Sequence, residues 1–444
     1  MKRRMVSLFV ALMLMFTLAS CKGRNILLFL NWGEYIDESL IEIFEEEYNC
    51  TVYMDLGESN EIFYSKVRGG TTVYDVVCPS DYMIEKMYKN DMLHKLDLAK
   101  LPAYTSLEER KGVKAIKNQM ALGTDDEIVN YFVPYLWGTW GIMYSTEKAG
   151  LEDAVINSDN EWSCLFDRGV LPANTKVAMY DSHQHAYYAA CKYLGKASNI
   201  ELPESELNEI RDLVIDMSYD AWGTDNIKKD IVAGNIDVGF MWTGDFLYYY
   251  CENIANIVMD AYLNNEITIL EFEDMINTLT SAQRIYSKNG IDYNIGFDLT
   301  IPEDSIAFCD NLAITKDASH KDLAYEFINF MCSSELTIGE EEVSPAYANT
   351  YYVCYDTPFN SVFDEILELK EEVFGDEDEA LYLEESNDNV DPYDSTLYWK
   401  IYDYATGIAF NKYYQKDSVK GNILATFNRD YVNIINTTFN NARA

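Results

Sequence analysis

Histidine is scarce in this chain, basic residues are few, and no cysteine lies in a Cys-x-x-Cys pair. Four histidines in 444 residues leave little from which to build a metal centre, and the nine cysteines suggest neither a zinc site nor a redox motif. His183 and His185 share a face only if the chain is extended there. Lysine and arginine total 34 against 74 acidic residues, a net charge of −40. That balance argues against nucleic acid, whose phosphates need a basic surface, and it suits cationic ligands. No apolar run beyond residue 21 is long enough to cross a membrane. Phosphate-cradling glycine loops and nucleophile–base motifs are also missing, so no catalytic centre or cofactor is expected.

What is present is a large apolar fraction, 48%, with 35 tyrosines, enough for two or three domains with their own cores. Several of Cys50, Cys78, Cys164, Cys191, Cys251, Cys309, Cys332 and Cys354 sit in apolar runs, where a buried free thiol is expected. Residues 1–21 read as a leader: Lys2-Arg3-Arg4, then an apolar core from Leu8 to Leu18. Its end, Leu18-Ala19-Ser20-Cys21, resembles a bacterial lipoprotein signal, which implies cleavage before Cys21, lipidation of that cysteine and a tether on the outer side of the cell membrane.

The chain then alternates strand and helix. Ile26 to Leu30 is a buried strand, and Asp37 caps a helix whose apolar face is Leu40, Ile41, Phe44 and Tyr48. Thr51 to Met54 and Val73 to Cys78 follow as strands, with a helix between them opened by Ser59. This spacing predicts an α/β fold on a parallel sheet. Asn31-Trp32-Gly33-Glu34-Tyr35 and Pro79-Ser80-Asp81-Tyr82 both leave carboxyl ends of strands, where ligands bind in open α/β sheets. Rings beside a carboxylate suit an organic cation. The plainer reading is that Trp32 and Tyr35 pack a corner, Glu34 is solvated, and Ser80 caps the next helix while Tyr82 packs it. Further on, Lys176 to Tyr180 and Asp237 to Trp242 read as strands, His185 to Leu194 as a helix, and Ile254 to Ile285 as a helical pair.

Six segments in order resemble the polyamine-binding proteins, the spermidine/putrescine-binding components of ABC importers. They are Asn31–Tyr35, Glu58–Glu61, Tyr74–Ser80, Pro134–Gly138, Gly239–Asp245 and Phe308–Ile314. The resemblance implies a two-lobed periplasmic-binding-protein fold of type II-like architecture, a permease partner, a monomer, and no enzymatic activity. Lobe 1 is expected over 22–140 and 307–346. Lobe 2 is expected over 141–306, with a helical insertion near 250–295, and over 347–444, with an acidic insertion over 363–394 whose exposed loop is Gly375–Glu379. Pro134–Ile142 and Val343–Asn349 are the expected crossings.

Carried over residue by residue, the resemblance implies ligand contacts from Trp32, Glu34, Tyr35, Ser80, Tyr82, Asp181, Trp242, Asp245, Phe308 and Asp310. Ser182 and His185 stand where the family carries a second acid and a glutamate, and Lys400, after Trp399, stands where it carries a glutamine. A tyrosine expected near Ser344 has no clear counterpart. The reduced set of acids and the Trp242–Asp245 and Phe308–Asp310 patterns favour putrescine over spermidine. Two other classes fit an acidic, aromatic cleft: a sugar or amino-acid binder on the same scaffold, and an extracytoplasmic hydrolase with paired carboxylates.

Overall fold

A computed structural model describes residues 25–443 apart from 225, 339–340, 372–373, 375–392, 394 and 419–420. Cys21 and the loop Gly375–Glu379 lie outside the described residues. The chain begins with β1 (Asn25–Asn31), parallel to β2 (Cys50–Leu56) on one side and β3 (Val76–Val77) on the other. Successive side chains of a strand point to opposite faces. Leu27 and Phe29 accordingly join one buried cluster and Leu30 another. The helix Glu38–Glu47 returns between β1 and β2; its Asp37 cap accepts from the Ser39 amide, and Leu40 and Phe44 are buried.

The next strands are β4 (Val133–Ser145), β5 (Val177–Tyr180), β6 (Ala221–Gly223) and β7 (Val238–Trp242). After them come β8 (Ile285–Lys288), β9 (Ile291–Asn294), β10 (Phe297–Thr300) and β11 (Ala307–Ile314). One nine-stranded sheet runs through the molecule in the order β2-β1-β3-β11-β4-β7-β5-β6, with β10 also on β4. Every residue of β4 is buried. Its first half, Val133–Thr139, pairs with β11, and its second half, from Trp140, pairs with β7. Two halves of the molecule thus share one continuous strand, and the turns after β1, β3 and β7 point at the join.

Four expectations are corrected. Only Val76–Val77 of the Val73–Cys78 segment is ladder: the Asp75 amide still donates to the Leu28 carbonyl at 2.8 Å, but the Leu28 amide goes to the Asp75 carboxylate (3.0 Å) and not to a backbone carbonyl. The helix expected from His185 begins at His183. The expected helical pair is present, but its first helix begins earlier and runs from Thr243 to Leu263 without a break, since Phe246, Leu247, Tyr250, Cys251, Ile254 and Val258 keep one apolar stripe. A second helix, Phe272–Thr280, and the antiparallel hairpin of β8 and β9 follow it. Finally, Val343–Asn349 is no crossing strand. Pro345 opens a helix to Val353 whose Ala346 and Val353 pack on the first half's core; Cys354, with φ +57°, already touches the second half's core, but Phe359 and Val362 return to the first half's before Phe363 joins the second. All eight described cysteines are buried thiols.

Candidate functional site

Asp310 anchors the first half of the site. β11 shifts register between Asp310 and Asn311, a bulge of the kind that re-aims a side chain. Tyr35 donates to Oδ2 of Asp310 at 2.8 Å, and Ser80 donates to Oδ1 at 2.6 Å. Ser80 occupies the N-cap position of the helix Asp81–Lys89, yet its hydroxyl makes no capping bond. It is diverted to Asp310 and held there by Asn60, whose Nδ2 donates to Ser80 Oγ while its Oδ1 accepts from the Ser80 amide, both at 3.0 Å. Burial raises the Asp310 pKa to about 6 against the opposing pull of the Ser80 and Tyr35 bonds. Asp81 accepts from the amides of Cys309 (2.7 Å) and Tyr82 (2.6 Å); burial pushes its pKa to about 8, so at neutral pH it is mostly protonated. Trp32 donates its indole N–H to the Cys78 carbonyl at 2.7 Å and lays its ring 4.5 Å from Phe63. Tyr82 is partly buried between the cores of the two halves.

The second half contributes an aromatic wall and a second acid. Trp242 ends β7 with its ring 4.1 Å from Trp140 and 4.5 Å from Phe308, and its indole N–H donates to the Tyr180 hydroxyl at 3.2 Å. Asp245 lies in the first turn of the helix Thr243–Leu263, where unpaired amides favour a carboxylate. His185 joins the wall, 4.4 Å from Trp140 and 5.7 Å from Trp242, with Nδ1 sharing a hydrogen bond with Ser182 Oγ at 2.7 Å. Burial lowers its pKa to about 3, so the residue standing in place of a glutamate brings no charge at neutral pH.

Two residues that sequence reasoning missed complete the arrangement. Tyr355 fills its centre: the ring is 5.1 Å from Tyr35 and 6.0 Å from Phe308, and the hydroxyl donates to Asp245 Oδ1 at 3.1 Å. Gly244 makes room for it, since a Cβ there would stand 2.5 Å from the Tyr355 ring. Lys228 places Nζ 3.0 Å from the same Asp245 oxygen. Neither sits in a motif. The only hint was a tyrosine expected nearby, at Ser344.

Trp32, Tyr35, Ser80, Tyr82, Trp242, Asp245, Phe308 and Asp310 therefore gather about one join. Glu34 and Asp181 stand apart. Glu34 is exposed on a turn with φ +51°. Asp181, also exposed, pairs with Arg443 at 2.7 Å, and that guanidinium lies 4.3 Å from the Trp222 ring. Trp399 is 44% exposed, with ring contacts to Tyr398 and Tyr402 rather than to the cluster. Two cavities, of about 500 Å³ beside Tyr88 and Tyr131 and about 210 Å³ beside Trp137 and Lys412, are lined by none of the ten predicted residues. The cluster is closed upon itself, ring against ring.

Residues 31–337 match the family model described as bacterial extracellular solute-binding protein. The chain belongs to that family. It is 26% identical over 331 residues to the putrescine-binding periplasmic protein SpuD of Pseudomonas aeruginosa, covering 72% of this chain and 77% of that one. It is 25% identical over 312 residues to the putrescine-binding periplasmic protein PotF of Escherichia coli, covering 68% and 71%. Among solved structures, a putative spermidine/putrescine ABC transporter protein from Listeria monocytogenes superposes with a TM-score of 0.60 at 24% identity, covering 94% of this chain and 99% of that one. The fold is the two-lobed, type II periplasmic-binding-protein fold. In a solute-binding protein of this kind, a site at the strand shared by both halves is one that relative motion of the halves opens and closes. Among the described residues, no helix is long and apolar enough to cross a membrane.

Proposed function

We propose that this extracellular solute-binding protein is the cargo-binding component of an ABC importer, and that its cargo is a polyamine, putrescine ahead of spermidine. The observation that carries the reading is the pair of carboxylates, Asp310 and Asp245, set in opposite halves around the rings of Tyr35, Tyr355, Phe308 and Trp242. An α,ω-diamine needs an anion for each ammonium and apolar walls for its methylenes, each buried CH₂ contributing roughly 0.8 kcal/mol. A triamine carries a third charge, and neutral His185 supplies no anion for it. The names of the relatives support the same class of cargo. The two lobes, parting near residue 140 in β4, close over the ligand; the protein binds and delivers but does no chemistry. It acts as a monomer that docks on permease subunits while lipid on Cys21 keeps it at the membrane.

Calorimetry with putrescine and spermidine, preceded by a thermal-shift screen that includes sugars and amino acids, tests the cargo. Putrescine is expected to raise the melting temperature most. A shift with sugars alone, or spermidine binding tenfold more tightly than putrescine, overturns it. Incorporation of labelled fatty acid, lost in Cys21→Ala, tests the anchor.

A further inference from the structure

We propose that Lys228 is a specificity-determining residue of this site: an internal cation, resident on Asp245, that an incoming ammonium has to displace. The proposal rests on the polyamine reading above and deepens it. Lys228 comes from the helix Asn226–Val232, in the connection between β6 and β7. Its Nζ is 3.0 Å from Asp245 Oδ1, the oxygen that also accepts from the Tyr355 hydroxyl at 3.1 Å. The side chains of Lys228 and Asp245 are only 14% and 16% exposed, so water screens the pair weakly. Without ligand, the Asp245 end of the site is therefore neutral as a pair. Among the described residues, the side-chain donors at the Asp310 end are the neutral hydroxyls of Tyr35 and Ser80.

The consequence is a charge count. Asp310 is the one uncompensated carboxylate of the pair, and a second ligand ammonium arriving at Asp245 meets Lys228 at short range. Like charges so placed repel unless one leaves. Lysine is suited to leaving: its ammonium is a compact charge on a flexible stem, without the two-pronged grip of arginine. The Tyr249 ring, with its centroid 5.9 Å from the same Nζ, offers the displaced ammonium a face to rest against. Displacement sets a penalty that grows with ligand charge. Lys228 thus weakens diamine binding and weakens triamine binding more, which makes it an active part of the preference for putrescine.

The experiment is calorimetry on the mature protein and its Lys228→Met, Lys228→Gln and Lys228→Arg variants, each with putrescine and with spermidine. Lys228→Met and Lys228→Gln are expected to bind putrescine at least tenfold more tightly than the parent and to gain more for spermidine, narrowing the preference. Lys228→Arg, which keeps the charge, should bind putrescine no more tightly than the parent. Gln retains a donor for Asp245, so it reports even if Met fails to fold. If the parent binds putrescine and the neutral variants bind it equally or less tightly, the pair is structural and the proposal falls while the polyamine reading stands. If neither parent nor variants bind an amine, both fall.

Discussion

The Tyr355 hydroxyl donates to Asp245 at 3.1 Å while the Tyr355 ring meets Tyr35 edge-on at 5.1 Å, and Tyr35 in turn holds Asp310. One side chain therefore links the acid of each half, and its two parts act differently. The ring is a wall for methylenes or a cation; the hydroxyl only competes for Asp245. Tyr355→Ala is expected to weaken putrescine binding by about 1–2 kcal/mol, the scale of a desolvated cation–π contact. Tyr355→Phe should change it by less than about 1 kcal/mol, the net worth of an ordinary hydrogen bond. Calorimetry separates them, and equal losses would show that the hydroxyl, not the ring, matters.

Asp245→Ala and Asp310→Ala each remove one carboxylate from a site shielded from water. Each should weaken diamine binding by about 2–5 kcal/mol, since truncating one member of a buried charge pair leaves the other unpaired. Asp181→Ala, at the exposed Arg443 pair, should leave binding within about 0.5 kcal/mol. Normal diamine binding by both of the first two variants would mean the ammonium groups are held elsewhere.

Local sequence signals some of these residues and is silent on others. Trp32, Tyr35, Ser80, Trp242 and Asp310 lie at strand ends or within short local motifs, so their neighbourhood in sequence signals their neighbourhood in space. Tyr355 and Lys228 carry no such signal. Each reaches the site through long-range packing: Tyr355 after a left-handed turn at Cys354, Lys228 from a short helix whose register depends on β6 and β7. Asp181 misleads for a related reason. It follows a strand, as ligand residues do, but Arg443 from the last helix takes its carboxylate, and no local pattern encodes a partner so distant. The strand halves of β4 are legible as an apolar run, whereas the helix opened by Pro345 is masked by the expectation of a crossing.

Motion follows from the closed cluster. With Tyr355 between Tyr35 and Phe308, a ligand enters only if the halves separate, and the ligand-free protein should spend most of its time open. Small-angle scattering is expected to show a smaller radius of gyration at saturating putrescine. An unchanged radius would count against closure.

Behind the shared strand, Arg110 and Asp356 form a fully buried ion pair, with the guanidinium 3.8 Å from the Phe363 ring and donating to the Gln415 carbonyl at 2.9 Å. Burial pushes the Asp356 carboxyl up, and the Arg110 guanidinium beside it pulls it back down. Arg110→Met strands that carboxylate and should lower unfolding free energy by about 3–5 kcal/mol, nearer the low end if Asp356 protonates. Adding Asp356→Asn should then cost little more, because both changes act on one pair. Additive losses in denaturant melts would show that the two residues stabilise the fold independently.

Binding should depend on pH through Asp310. Its pKa in the closed cluster is about 6, raised by burial, and an ammonium ligand pairs with its ionised form. Below that value a proton competes with the ligand, and affinity for putrescine is expected to fall by about tenfold per pH unit from 6 toward 4. The stability term runs the other way. A carboxyl whose folded pKa lies above its unfolded value stabilises the fold most below the unfolded value, and that stability is lost as pH rises through the folded one. The closed arrangement without ligand should thus lose this contribution between about 4 and 6, and the corresponding one from Asp81 on up to about 8. Putrescine offsets the Asp310 part by giving the ionised carboxylate a partner, so the ligand-induced melting shift should grow between pH 5 and 7. Asp310→Asn removes the titrating group, and its residual affinity should be flat over that range. A slope that survives in Asp310→Asn would assign the proton to another group.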